Sequence, residues 1–180
     1  MTVDLSSQLS APRLEDVHCR YLERDDLPAL EWDGEYSHFR RLYREIFQSY
    51  AQGKAVMWVA TLPVEGLIGQ MFVQLHSVRP ELADGETRAY LYGFRVKSFY
   101  RGMGVGSSML EQVEKDLLQR GFSLVSLNVG RNNPDARRFY EQHGYCVVGS
   151  EEGRWSYLDD QGRRRHVNEP AWRMEKALRA

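Results

Sequence analysis

Between Leu91 and Gly106 the chain reads L-Y-G-F-R-V-K-S-F-Y-R-G-M-G-V-G, a run that leaves few conformations open. Tyr90, Leu91, Tyr92, Phe94 and Val96 supply the aromatic and β-branched residues of a buried or half-buried strand. Gly93 interrupts that strand, where glycine marks a bulge or a closely approached backbone. Gly102, Gly104 and Gly106 follow, and a helical pattern begins at once. A helix that starts with bare backbone N–H groups is suited to bind phosphate. The stretch therefore predicts a phosphate-bearing cofactor lying against the strand and capped by the helix.

Two familiar phosphate motifs fail against the letters. A P-loop requires Lys-Ser/Thr after its last glycine, and here Ser107-Ser108 follows Gly106. A dinucleotide fingerprint requires a third glycine where this chain has Ser107 or Met109, and a carboxylate closing the next strand, which is missing after Val129.

The rest of the chain supplies the context. Val17, Cys19 and Tyr21 predict a first strand, and Leu27 to Trp32 a short helix broken at Asp33-Gly34. A longer helix is expected from Tyr36 to Gln52, because Phe39, Leu42, Tyr43, Ile46, Phe47 and Tyr50 recur at intervals of three and four. Val56–Ala60 and Ile68–Leu75 read as an antiparallel hairpin, and 77–88 as a loop. A helix from Gly104 to Arg120 and a strand over 124–129 complete a right-handed parallel crossover. Asn133 then caps a helix with Pro134 at its first position, and Tyr145 to Val148 form a strand. The tail reads as two strands, Trp155–Leu158 and Ala171–Met174, around a polar turn at Asp159–Gly162. The reading is α+β, with a flexible lead-in over 1–12 and a single domain over 13–180.

Composition narrows the class. The chain has 180 residues and a net charge of −1, which gives no global pull toward nucleic acid or an anionic membrane. Cys19 and Cys146 are the only cysteines, too few for a disulfide framework or a metal motif, and reduced, buried thiols are the expectation. No metal is expected. The N-terminus lacks a signal-peptide pattern, and Ala55 to Leu62 is too short to span a bilayer, so a cytoplasmic protein is expected.

Arg101-x-x-Gly104-x-Gly106, followed by Asn133-x-x-Ala136-x-x-x-Tyr140-x-x-x-Gly144-Tyr145, resembles the two signature halves of the GNAT superfamily of acetyl-CoA-dependent N-acetyltransferases. The likeness covers about residues 86 to 148 and agrees with the element order on either side. It implies a mixed, mostly antiparallel sheet of about seven strands flanked by about four helices, with one splayed parallel pair. It also implies acetyl-CoA as co-substrate and transfer of its acetyl group to a primary amine. Arg101, Gly102, Met103, Gly104, Val105, Gly106 and Ser107 would surround the pyrophosphate, and the backbone of Phe94, Arg95 and Val96 would pair with the pantetheine arm. Asn133 would bond to that arm, and Tyr140 would stand near the sulfur as general acid. Each has a plainer reading beside this one: Asn133 as helix cap, Tyr140 as core packing.

The acceptor side is less determined. An ammonium with a pKa near ~10 must lose a proton before attack. Some relatives place a glutamate on the strand after the glycine-loop helix, and this chain has Asn128 there. Glu31, Asp33 and Glu35 form an acidic cluster in the segment that borders the acceptor site in the family. Trp32, Asp33, Glu35 and Tyr36 are the acceptor-site candidates, against a solvated surface and core aromatics as the alternatives. Arg163, Arg164, Arg165 and His166 could meet an acidic group or form a solvated turn. A small-molecule or peptide amine is the implied partner, with no nucleic acid or membrane, and a homodimer is compatible with the fold. A non-catalytic acyl-CoA-binding or sensing module is the other function compatible with these residues.

Overall fold

Two strands are buried on both faces and set the middle of the molecule: Ala55–Leu62 (β2) and Gly66–Gln74 (β3). They belong to a computed structural model that describes residues 12–179. The lead-in expected over 1–12 falls, except for its last position, outside the described residues. The other strands are His18–Tyr21 (β1), Arg88–Val96 (β4), Leu124–Gly130 (β5), Cys146–Glu151 (β6), Arg154–Leu158 (β7), Arg164–Asn168 (β8) and Ala171–Ala177 (β9). The α-helices are Arg40–Ala51 (α1), Val105–Gln119 (α2) and Pro134–Gln142 (α3).

Seven strands form one sheet in the order β1-β2-β3-β4-β5-β9-β6, and β7 and β8 pair by themselves. Every neighbouring pair in the large sheet is antiparallel except β4 with β5. That parallel pair joins through α2, as the crossover spacing predicts. The sheet is covered on both sides. Ile68, Met71 and Leu91 face Met109, Leu110 and Val113 of α2, while Met57, Val59 and Phe72 face Tyr43 and Ile46 of α1. The expected α+β architecture with one splayed parallel pair is the observed one.

Three local readings are corrected. The helix expected at Leu27–Trp32 is a 3-10 segment over Arg24–Glu31, with Pro28 inside it; proline removes a donor that an α-helix would use. The tail holds three strands instead of two. Trp155–Leu158 pairs with Arg164–Asn168, while Ala171–Ala177 lies in the large sheet between β5 and β6. The run R-R-H-V-N carries no apolar alternation, so its strand comes from pairing alone. Cys146 is exposed on β6, and Cys19 is half-buried on β1; both thiols are free.

Candidate active site

The site begins where β4 and β5 part. Their pairing runs from Arg88–Leu124 to Leu91–Leu127 and stops there, although β4 continues to Val96 and β5 to Gly130. Gly93 lies at the parting point. On the β3 side the register shifts between Gln70–Arg95 and Phe72–Tyr92, leaving Gly93 and Phe94 as a bulge. Gly93 has φ +59, and a Cβ there would lie 2.6 Å from Phe72 Cδ2, so no side chain fits without displacing the Phe72 ring. The extra residue also resets the alternation of the strand. Leu91 and Val96 both face α2, whereas Tyr92 and Arg95 face α1. Lys97 N–H donates to Ile68 O at 2.8 Å, and alternation from there turns the main-chain groups of Phe94 and Val96 into the notch between β4 and β5.

The α2 side of the notch gathers most of the residues singled out in the sequence. Arg101 Nε donates to Val96 O at 2.9 Å, so this side chain ties the loop to the strand end. Gly104, with φ +86, precedes the first turn of α2 and supplies no capping side chain. The N–H groups of that turn are thus left for a ligand. A Cβ on Gly106 would lie 3.3 Å from Phe94 Cζ, which shows how closely α2 approaches the strand. Ser107 meets His143, the residue that follows α3, at 3.0 Å, and His143 Nδ1 lies 2.7 Å from Phe139 O. A carbonyl can only accept, so Nδ1 carries a proton and donates to Phe139 O, which leaves Nε2 as the nitrogen that meets the Ser107 hydroxyl.

Asn133 caps α3, with Oδ1 accepting from Ala136 N–H at 3.1 Å. Tyr140 is 7% exposed, with its ring edge-on to Phe94, Phe139 and Tyr145. Burial, helped by the neighbouring Tyr90, pushes its phenol well above the ordinary value. The phenol therefore carries its proton throughout the neutral range.

A cavity of about 500 Å³ opens on the α1 side of the same parting point, within the ~300–1,000 Å³ usual for small-molecule sites. Tyr90, Tyr92, Asn128 and Arg95 line its strand wall, Phe39 and Tyr43 come from α1 and the turn before it, and Trp155 of β7 lies across from them. Burial raises the phenols of Tyr43, Tyr90 and Tyr92. Asn128 Oδ1 is buried and finds no partner among the described residues. Glu151 lines the same cavity, but its carboxylate is held by Arg79 at 3.0 Å and by Arg173.

The acceptor candidates divide. Tyr36 stacks with Phe39 and carries the Arg95 guanidinium 4.3 Å above its ring, directly behind the cavity wall. Trp32 and Asp33 instead line a separate shallow depression of about 360 Å³ with Lys97. Glu35 is exposed. Glu31 is bound by both nitrogens of the Arg40 fork at 2.6 and 2.8 Å, which lowers its carboxyl. Arg163 and Arg165 both donate to buried Asp159 at 3.0 and 2.8 Å, and Arg164 donates to Ser156.

Sequence reasoning took Tyr90 and Tyr92 only as strand formers and missed Arg79, Glu151 and Trp155. The two tyrosines carried a usable signal, since period-2 polar aromatics beside a strand glycine point to one wet face. The other three come from distant segments that only the sheet order brings together.

Comparison with known proteins agrees with this geometry. The profile of the Acetyltransferase (GNAT) family matches residues 19–145. The uncharacterised N-acetyltransferase YycN of Bacillus subtilis is 26% identical over 89 residues, covering 49% of this chain and 54% of that protein. The 5-NmdU N-acetyltransferase of Pseudomonas phage PaMx11 is 27% identical over 96 residues, covering 53% and 62%. The matches thus span little more than half the length of these relatives. Among solved structures, Ard1 from Thermoplasma volcanium superposes with a TM-score of 0.70 at 16% identity, over 92% of this chain and 99% of that one. Arabidopsis thaliana NAA60 in complex with acetyl-CoA gives 0.66 at 22% identity, over 90% and 98%.

Proposed function

The chain belongs to the GNAT family of acetyltransferases, and we propose on that premise that it moves an acetyl group from acetyl-CoA to a primary amine. The amine belongs to a small molecule, or to a protein N-terminus or lysine, and attacks directly in a ternary complex. The observation that carries this reading is the parting of β4 from β5 at Leu91, with an uncapped helix N-terminus on one side and a cavity on the other.

The residues present fit coenzyme A. The first turn of α2 offers N–H groups without a side-chain cap, and glycines at 102 and 104 hold the loop in left-handed conformations. Phe94 and Val96 turn main-chain groups into the notch, where an extended pantetheine would add as a strand-like edge. Asn133 has an amide N–H₂ left over after its cap bond, free for the same arm. Acetyl-CoA supplies an activated thioester.

The chain's own task is to position, to exclude water and to move protons. Tyr140 holds its proton at the sulfur side of the notch. Its phenol titrates above ~10 and a leaving thiol near ~8.5, so complete proton transfer runs uphill by about 2 kcal/mol or more. Tyr140 therefore acts as a hydrogen-bond donor to the departing sulfur, with water finishing the transfer, and contributes about 10² in rate. On the other side Asn128 Oδ1, lacking a partner, is placed to accept from an amine N–H and aim its lone pair through the notch.

A binding or sensing module is the second reading, and Asn128 in place of a glutamate favours it. Free-thiol release from acetyl-CoA across a library of amines separates the two. Transfer predicts turnover with some amine, and Tyr140→Phe should lower that turnover about a hundredfold while calorimetry still detects acetyl-CoA binding. Tight acetyl-CoA binding with no turnover on any amine would establish the module. Undiminished turnover in Tyr140→Phe would remove the donor role.

A further inference from the structure

The bulge at Gly93 turns Arg95 toward α1, into the wall of the cavity. There its guanidinium lies 4.3 Å over the Tyr36 ring and 5.3 Å from the Phe39 ring, and one nitrogen donates to the Tyr43 hydroxyl at 3.3 Å. No carboxylate pairs with it among the described residues. Most other arginines of this surface are engaged: Arg79 holds Glu81 and Glu151, Arg173 holds Glu151, and Arg163 and Arg165 hold Asp159. A half-buried guanidinium that is stacked, fixed in orientation and left with unused N–H donors is built to receive an anion. Of the three arginines on the cavity walls, Arg79 is spent on Glu81 and Glu151 and Arg154 lies 3.6 Å from Glu152, so Arg95 is the wall guanidinium left without a carboxylate among the described residues.

We propose that the acceptor is a small amine carrying an acidic group, carboxylate or phosphate, which Arg95 binds while the amine is presented at Asn128. This rests on the transfer reading above and adds to it the chemical class of the acceptor. The space between the two ends is walled by Tyr43, Tyr92 and Trp155, so the body joining acid to amine is flat and apolar. A polycation is the wrong ligand for this wall, because its second charge would meet Arg95. Attack of the free amine on the thioester forms the amide bond, breaks the carbon–sulfur bond and leaves coenzyme A thiol. One proton from the ammonium passes to solvent, and the acidic group is unchanged.

The test uses matched probes: phenethylamine against para-(aminoethyl)benzoate, tyramine against tyramine phosphate, and spermidine as the polycation. Calorimetric affinity is measured on the full chain with coenzyme A present, and thiol release is followed separately with acetyl-CoA. At least one acidic probe should bind about tenfold to a hundredfold more tightly than its neutral partner, the span of a charge-assisted hydrogen bond. Preference for the benzoate or for the phosphate identifies which acid the site takes. Arg95→Gln should bring the acid-to-neutral ratio close to one, and Arg95→Lys should restore part of it, with circular dichroism confirming that both variants fold. Equal binding of acid and neutral partners, failure of both acids to bind, stronger binding of spermidine, or a preference that survives Arg95→Gln would each overturn the inference. Turnover without acid preference would overturn it and leave the transfer reading standing. Acid preference without thiol release would overturn the transfer reading and with it the acceptor role, leaving Arg95 only as an anion-binding residue.

Discussion

On the transfer reading proposed above, Asn128 puts a hydrogen-bond acceptor where proton removal would call for a base, and this shapes how the rate should depend on pH. An amide oxygen orients an amine but takes no proton from it at neutral pH. Of the two carboxylates lining the cavity, Glu151 is tied to Arg79 and Arg173 and Glu169 is exposed to solvent, while burial keeps the phenols of Tyr43, Tyr90 and Tyr92 protonated. The amine must then enter as its free base or lose its proton to water. With an amine pKa near ~10, the reactive fraction rises about tenfold per unit between pH ~7 and ~9, and kcat/KM should follow it with unit slope. A plateau that begins below neutral pH would show that a residue of the protein takes the proton after all. The asparagine substitution was legible in the letters. Its unpartnered oxygen was not, because that depends on neighbours supplied by other strands.

The β7–β8 hairpin shows what an element can hide from a sequence. Trp155 and Tyr157 alternate with polar residues and announce β7, whereas β8 is R-R-H-V-N and announces nothing. What organises the hairpin is Asp159 at its turn. The side chain is fully buried and accepts from the N–H groups of Gln161 and Arg163 and from the Arg163 and Arg165 side chains. Burial alone would raise this carboxyl, but the Arg163 N–H and the two guanidinium groups outweigh it and hold it down at about 2. A carboxyl depressed below its unfolded value near ~3.9 stabilises fully above that pH and stops doing so as pH falls toward 2. Acid titration should therefore move the Gln161 and Arg163 amide resonances between pH ~4 and ~2, and Asp159→Asn should abolish that step. Resonances that stay fixed down to pH ~2 while the rest of the chain unfolds would refute the role. By contrast, α2 and α3 were readable, because glycine, proline and apolar spacing act within a few residues of one another.

At the scale of the whole molecule, the two halves of the site hang on one sheet with a separate apolar core on each face. A ligand laid into the notch touches β4, α2 and α3 together, so its binding should stabilise the fold as a unit. At about a hundredfold excess over Kd, acetyl-CoA adds about 2.7 kcal/mol. For a chain of this size that raises Tm by about 5–10 °C, readable in a thermal scan; a Tm that does not move would mean that the notch does not hold the molecule. The β2–β3 hairpin and the β4–α2–β5 crossover were foreseeable because each follows from local spacing, although β9 enters between β5 and β6 from far along the chain. The cavity was not, because its walls come from α1, β4, β5 and the hairpin at once.

The hairpin leaves and rejoins the large sheet at a single point, where Glu169 N–H donates to Gly153 O at 3.0 Å and a Cβ on Gly153 would strike Glu169 O. Its two parent strands, β6 and β9, are already neighbours bonded to each other. The excursion that carries Trp155 over the cavity is therefore held by its packing on His38 and Phe39 and by no ladder bond of the large sheet. A change in its length or sequence would thus reach the cavity wall through Trp155 while the large sheet keeps its ladder.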